Sequence, residues 1–187
     1  MKRFFSLILG MGLLCSSAAT FAQMSGEKTV EVGGAAMYPS KDIVDNAVNS
    51  KDHTTLVAAV KAAGLVGTLK GAGPFTVFAP TNEAFAKLPA GTVDNLLKPE
   101  NKDMLIKVLT YHVVAGKIGS KQLMKMIRKA GGKATLKTVQ GDNIYASADN
   151  GMITIWDESG NKAMVTIGDV WQSNGVIHVI DTVLLPK

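Results

Sequence analysis

Three histidines, His53, His112 and His178, and the acids scattered near them are the residues of this 187-residue chain whose types could support metal binding or acid–base chemistry. Their spacing argues against both. The chain has no HExxH, no two histidines at helical i, i+4, no Gly-Lys phosphate loop and no GxSxG elbow. Its one cysteine, Cys15, lies in an N-terminal apolar run. Gly71-Ala72-Gly73-Pro74 is glycine-rich but precedes a strand, so it reads as a turn and not as a phosphate cradle. Serines and aspartates are too plentiful for counting to exclude a triad, yet nothing in their spacing suggests one. The expectation is no catalytic residue, no metal site and no cofactor.

The elements that hold these residues explain them better than chemistry does. Met104, Leu105, Val108, Leu109 and His112 recur at i, i+1, i+4, i+5 and i+8, one stripe of a helix, so His112 points inward as a hydrogen-bonded core histidine. Thr76 to Phe85, TVFAPTNEAF, reads as a strand that becomes a helix. Phe75, Val77 and Ala79 alternate with Thr76 and Phe78, and Pro80 removes a ladder donor and ends the strand. Thr81 is then placed as N-cap, Glu83 sits in the positive first turn, and Pro80 and Phe85 have hydrophobic-staple spacing. Further helices are expected from Asp52, as cap, to Gly64, as stop, and from Thr92 to Pro99.

The second half changes period. Ala134–Val139, Ile144–Ala148, Met152–Trp156, Ala163–Val170 and Val176–Leu185 are β-rich, and the first four are separated by short Gly/Asn/Asp loops that suit antiparallel hairpins. The last run is apolar on both sides, which suits a central strand. Asp181, between Val179 and Val183, needs a partner if buried, and the Thr81-Asn82 turn is the expected one.

Residues 1–22 read as a secretory signal peptide: Lys2 and Arg3, an apolar core from Phe4 to Leu14, then small residues up to Ala22. The apolar run is shorter than the roughly 20 residues of a spanning helix. Leu14 lacks the small side chain that lipid attachment at Cys15 would need. The mature chain would carry no thiol and no transmembrane segment, and its formal charge falls from +5 to +3 when Lys2 and Arg3 leave. That balance does not suit nucleic acid. Residues 23–40, rich in Gly and Ser, read as a flexible tether, and residues 41–187 as one folded unit.

Three landmarks resemble the fasciclin (FAS1) domain of secreted and surface adhesion proteins. They are TVFAPTNEAF, the Tyr111-His112 pair, and Asn174 to Pro186, NGVIHVIDTVLLP, which contains Gly175, His178 and Asp181. The resemblance implies an α+β fold, a β-sandwich or wedge with N-terminal helices packed along the sheets. It also implies that the motif residues, from Thr76, Phe78, Pro80, Thr81, Asn82 and Phe85 to Pro186, are mainly architectural.

Binding is therefore expected on surfaces. Between Met104 and Gly141 there are eight basic residues and no acid, and within that stretch Lys121, Lys125, Arg128 and Lys129 share a helix face opposite Leu123, Met124 and Ile127. Such a face suits an acidic glycan, an extracellular or envelope protein, or lipid headgroups. Asp103-Met104 resembles the aspartate-isoleucine segment of animal fasciclin domains that engage integrins, with methionine replacing isoleucine; the bacterial type of export signal argues against that partner. The function expected is that of an exported, periplasmic or secreted, non-catalytic binding protein in adhesion or contact with matrix or envelope. The alternative is a carrier of an apolar pigment or lipid in a groove between helices and sheet, with Met124, Met126, Met152 and Met164 as adaptable lining.

Overall fold

The computed structural model describes residues 28–187, so the expected signal peptide lies outside the described residues. Part of the segment read as a tether is instead a hairpin, Val30–Val32 (β1) with Ala35–Met37 (β2). Its two-residue loop is Gly33-Gly34 at φ +58° and +73°, the left-handed pair that a tight hairpin turn requires. The glycines thus turn the chain, and they set Val32 and Met37 into the core.

Ile43–Ala47 (α1) follows, with the Asp42 carboxylate accepting from the Val44 and Asp45 N–H groups. Asp52 does not cap the next helix as expected. It sits inside a 3-10 turn, Lys51–His53, and Thr54–Ala63 (α2) begins without a side-chain cap; Gly64, at φ +74°, stops it. Val66–Lys70 (α3) leads to the Gly71–Pro74 turn and Phe75–Pro80 (β3). Strand then becomes helix as the sequence requires: Thr81 Oγ1 accepts from the Ala84 N–H at 3.2 Å and opens Asn82–Ala86 (α4). Thr92–Leu96 (α5), Lys102–Tyr111 (α6) and Val113–Ala115 (β4) complete the helical half.

Ser120–Lys129 (α7) precedes the antiparallel run Lys133–Lys137 (β5), Asn143–Asp149 (β6), Met152–Trp156 (β7), Lys162–Gln172 (β8) and Gly175–Ile180 (β9). The sheet order is β4-β3-β9-β8-β7-β6-β5, with β9 parallel to β3 and the other pairs antiparallel. β8 shifts register between Val165 and Ile167 and again before Val170, so the sheet bends there. A bridge between Val114 and Thr138, with the Val139 N–H donating to the Val113 carbonyl at 2.7 Å, brings β4 against β5 and nearly closes the ring. Closure protects the two edges that an open sheet would expose.

Two cores result. The helices α1 to α6 and the β1–β2 hairpin cover one face of β3 and β9, over Val77, Ala79, Ile177 and Val179. The other core fills the near-barrel, where Phe78 and Ile180 meet Leu136, Ile144, Ile155 and the Leu123–Ile127 stripe of α7. β9 divides the two and is buried at every residue, which explains its apolar character on both faces. Its ladder ends at Ile180, short of the expected Leu185, and Val183 and Leu184 pack as irregular chain.

Candidate functional site

The motif residues converge on the β3–β9 pair. Thr76 is buried with its hydroxyl donating to the Gly116 carbonyl at 2.6 Å and accepting from the Ile118 N–H at 2.9 Å. Phe78, fully buried, stacks on His178 at 5.7 Å between ring centroids. Gly175 lies so close to β3 that a Cβ would collide with the Phe75 carbonyl, so no other residue fits. Pro80 pairs with Ile180 at the end of the parallel ladder, Phe85 packs into the helical core, and Pro186 follows the buried Leu184.

Both motif histidines are held by backbone. His112 Nδ1–H donates to the Val108 carbonyl at 2.8 Å, and Nε2 accepts from the Leu184 N–H at 3.0 Å, so the tautomer follows from its partners. Burial, outweighing the Val108 carbonyl, pushes its pKa down to about 4. His178 Nε2–H donates to the Ile118 carbonyl at 2.9 Å, and the Asp169 N–H approaches Nδ1 at 3.4 Å; burial lowers this pKa too. Tyr111 is buried with its hydroxyl donating to the Asn143 carbonyl at 2.9 Å and accepting from the Glu158 N–H at 3.3 Å, and burial pushes its pKa up to about 12.

Ser120, Asp169 and His178 do come together, but not as a triad. The Asp169 carboxylate accepts from both the hydroxyl and the N–H of Ser120, while both imidazole nitrogens face backbone groups. No ring nitrogen is available to take the serine proton. The cluster instead fixes the start of α7 against β8.

The expected tie between Asp181 and the Thr81-Asn82 turn is corrected. Asp181 Oδ1 accepts from the Met164 N–H at 2.8 Å and the Thr182 hydroxyl at 3.1 Å, and Lys87 lies 3.5 Å from the carboxylate. Burial works to raise this pKa, and those donors together bring it below the usual carboxylate value. Asn82 reaches the other way: its side chain accepts from the Thr54 hydroxyl and Thr55 N–H and donates to the Lys51 carbonyl. At this turn the signatures meet through backbone, the Thr81 N–H donating to the Ile180 carbonyl at 3.3 Å. The carboxylate is one-third exposed, so water and β8 serve it without the turn.

A model of the fasciclin domain matches residues 51–186. The chain belongs to the fasciclin domain family. It is 47% identical over 182 residues to protein sll1483 of Synechocystis, covering 97% of this chain and 94% of that one. It is 34% identical over 172 residues to the cell surface glycolipoprotein MPB83 of Mycobacterium bovis, covering 88% and 70%. Among solved structures, a FAS1 domain pair from the insect cell adhesion molecule Fasciclin I superposes with a TM-score of 0.70 at 22% identity, covering 79% of this chain and 52% of that one. That likeness establishes the fold.

While Thr76, Phe78, Tyr111, His112 and His178 are buried, the exposed cations lie elsewhere on this fasciclin domain. Lys121, Lys125, Arg128 and Lys129 are exposed on α7 while Leu123 and Ile127 are buried, and none of the four joins an ion pair among the described residues. Asp103 is exposed in the first turn of α6. Met104 is 59% exposed, so it leaves the buried stripe in which the periodicity placed it; α6 buries Leu105, Val108 and Leu109 instead.

An apolar cavity of about 110 Å³ opens between α2, α3 and the sheet, lined in part by Leu56, Val60, Phe75, Val77 and Ile177. His53 also lines it, with Nδ1 at 2.9 Å from the Ser50 hydroxyl and a buried Nε2 that makes no hydrogen bond of good geometry. Burial pushes the His53 pKa down, with the Ala79 carbonyl opposing. On the outer side of the sheet, Tyr145 and Trp156 stand in register on β6 and β7 among lysines. Neither aromatic belongs to a motif in the sequence. The available signal was alternation: Ile153 and Ile155 face inward on β7, which turns Trp156 outward.

Proposed function

We propose that this fasciclin domain is an exported, non-catalytic binding protein that contacts acidic components of an envelope or matrix in cell adhesion. The reading rests on four cations on the exposed face of α7, none of them in an ion pair among the described residues. A solvated helix face ordinarily mixes both signs, and this one offers only positive charge to a partner. The names of the relatives, a cell surface glycolipoprotein and a cell adhesion molecule, agree with a surface role. Export follows from the N-terminal pattern, and mass spectrometry of the mature protein should find Gln23 as its first residue. For binding, retention on an acidic polysaccharide should fall steeply as salt rises and should weaken with K121E/K125E/R128E/K129E. Retention unchanged by salt and by these substitutions would overturn the reading.

The cavity favours a second reading, a carrier of an apolar small molecule. Its size decides what it can carry. A dry cavity of about 150 Å³ accepts benzene, so roughly 110 Å³ holds at most a small ring or a short branched chain. A whole pigment would require α2 and α3 to part from the sheet. Mass spectrometry of organic extracts from protein purified from its native source tests this: a stoichiometric ring-sized compound supports it, and an extract without one counts against it.

A further inference from the structure

The open face of the β5–β8 sheet carries a built row of residues. Thr135, Tyr145, Trp156 and Lys162 are cross-strand neighbours, and the adjoining row is Lys133, Ser147, Thr154 and Met164. The residues between them, Ala134, Ala146, Ile155 and Ala163, and the flanking Ile144 and Ile153 fill the core, so the alternation fixes which side chains face outward. The Trp156 indole N–H donates to the Ser147 hydroxyl at 2.7 Å, which pins the ring on the sheet.

Two ammonium groups rest on this platform. Lys162 Nζ lies 4.3 Å from the Trp156 ring centroid, and Lys133 Nζ lies 4.5 Å from Tyr145 and 5.2 Å from Trp156. They arrive from different strands, β8 and β5, on either side of the β6–β7 pair. Neither lysine joins an ion pair among the described residues. A cation–π contact at a half-exposed site is weak. Either lysine can therefore swing off the ring, freeing its face while the ammonium reaches an incoming carboxylate.

We propose that this face binds an acidic polysaccharide, one pyranose ring stacking on Trp156 and Tyr145 while Lys133 and Lys162 pair with its carboxylate or sulfate groups. The charge is complementary to such a chain: two flanking cations bracket the Tyr145–Trp156 cross-strand pair. A nucleic acid strand would need a longer track of cations and successive stacking steps, and only two aromatic residues stand here. The inference rests on the binding function proposed above but names a surface on the opposite side of the sheet from α7, so the two can fail separately.

The test uses the W171F protein, which leaves Trp156 as the sole indole of two, titrated with oligogalacturonate at low salt. Trp156 emission should shift on binding, and affinity should fall about tenfold with Y145A and with K133Q/K162Q while the thermal midpoint stays near wild type. W156A, followed by calorimetry, should weaken binding by a similar factor. Unchanged Trp156 emission, equal affinity for an uncharged cello-oligosaccharide, or tighter binding of a single-stranded oligonucleotide would each overturn the proposal. Binding lost with K121E/K125E/R128E/K129E but retained in W156A would overturn it and leave the α7 reading standing. Loss with W156A but not with the α7 variant would do the reverse.

Discussion

The β3–β9 pair and the β5–β8 hairpins belong to one sheet and put similar side chains to opposite uses. β9 is buried at every residue, and the polar groups around it, His112, His178, Thr76 and Tyr111, are matched to backbone carbonyls and N–H groups at fixed positions. β5 to β7 bury alternate residues only, and their outward aromatics meet lysines with no acid partner. A polar group in the first region answers an internal demand, because an unpaired buried donor or acceptor costs about 1–3 kcal/mol. A polar group in the second answers to solvent or to a partner. The richest motif in the sequence therefore marks where the fold is most constrained, and the plainer strands leave chemistry available.

Substitutions that treat the regions alike would break this contrast. The largest effect is expected from Phe78→Ala, where losing a fully buried ring between β9 and α7 should cost about 3–5 kcal/mol by chemical denaturation. His112 gives the next. Its pKa falls from 6.5 in the free group to about 4 here, so between those values the unfolded chain binds a proton that the folded chain does not. Its contribution is complete above pH 6.5 and is lost as pH falls toward 4, by about 3 kcal/mol in all. Denaturation midpoints measured across that range should slope downward in acid, and His112→Asn should flatten much of the slope.

Smaller effects sharpen the boundary between the regions. Asn82→Ala removes a side chain bonded to Lys51, Thr54 and Thr55 and should cost about 1–2 kcal/mol, read as a lowered thermal midpoint. Asp181→Ala should cost about 1 kcal/mol, because its donors lie at a partly exposed site that water can reach. Trp156→Ala should change stability by less than about 1 kcal/mol, since its ring lies on the solvent side of the sheet.

Local rules made much of the first region legible. A proline at a strand end with a capping threonine after it specifies the β3–α4 junction, and an apolar stripe ending at His112 specifies an inward imidazole. What local rules missed depends on contacts between distant segments. Met104 shares the stripe's period, but the partners of α6 reach only Leu105 and beyond. Asp181 looked toward Asn82 in a reading by motif, whereas the bend in β8 delivers the Met164 N–H to it. Gly33-Gly34 resembles a linker in composition, and its role as a turn emerges only because Val32 and Met37 find a core. The Tyr145–Trp156 row was hidden for the same reason, since pairing across a hairpin is set by register and not by composition.

On the proposed function, the fasciclin motif builds the domain and recognition lies on surfaces that the motif only positions. One paired measurement tests it most directly: thermal midpoint and oligogalacturonate affinity, determined together for Asn82→Ala and Trp156→Ala. Asn82→Ala should melt earlier and bind like wild type at a temperature where it is folded. Trp156→Ala should melt like wild type and bind about tenfold more weakly. Weakened binding in the folded Asn82→Ala protein, with binding retained in Trp156→Ala, would contradict it.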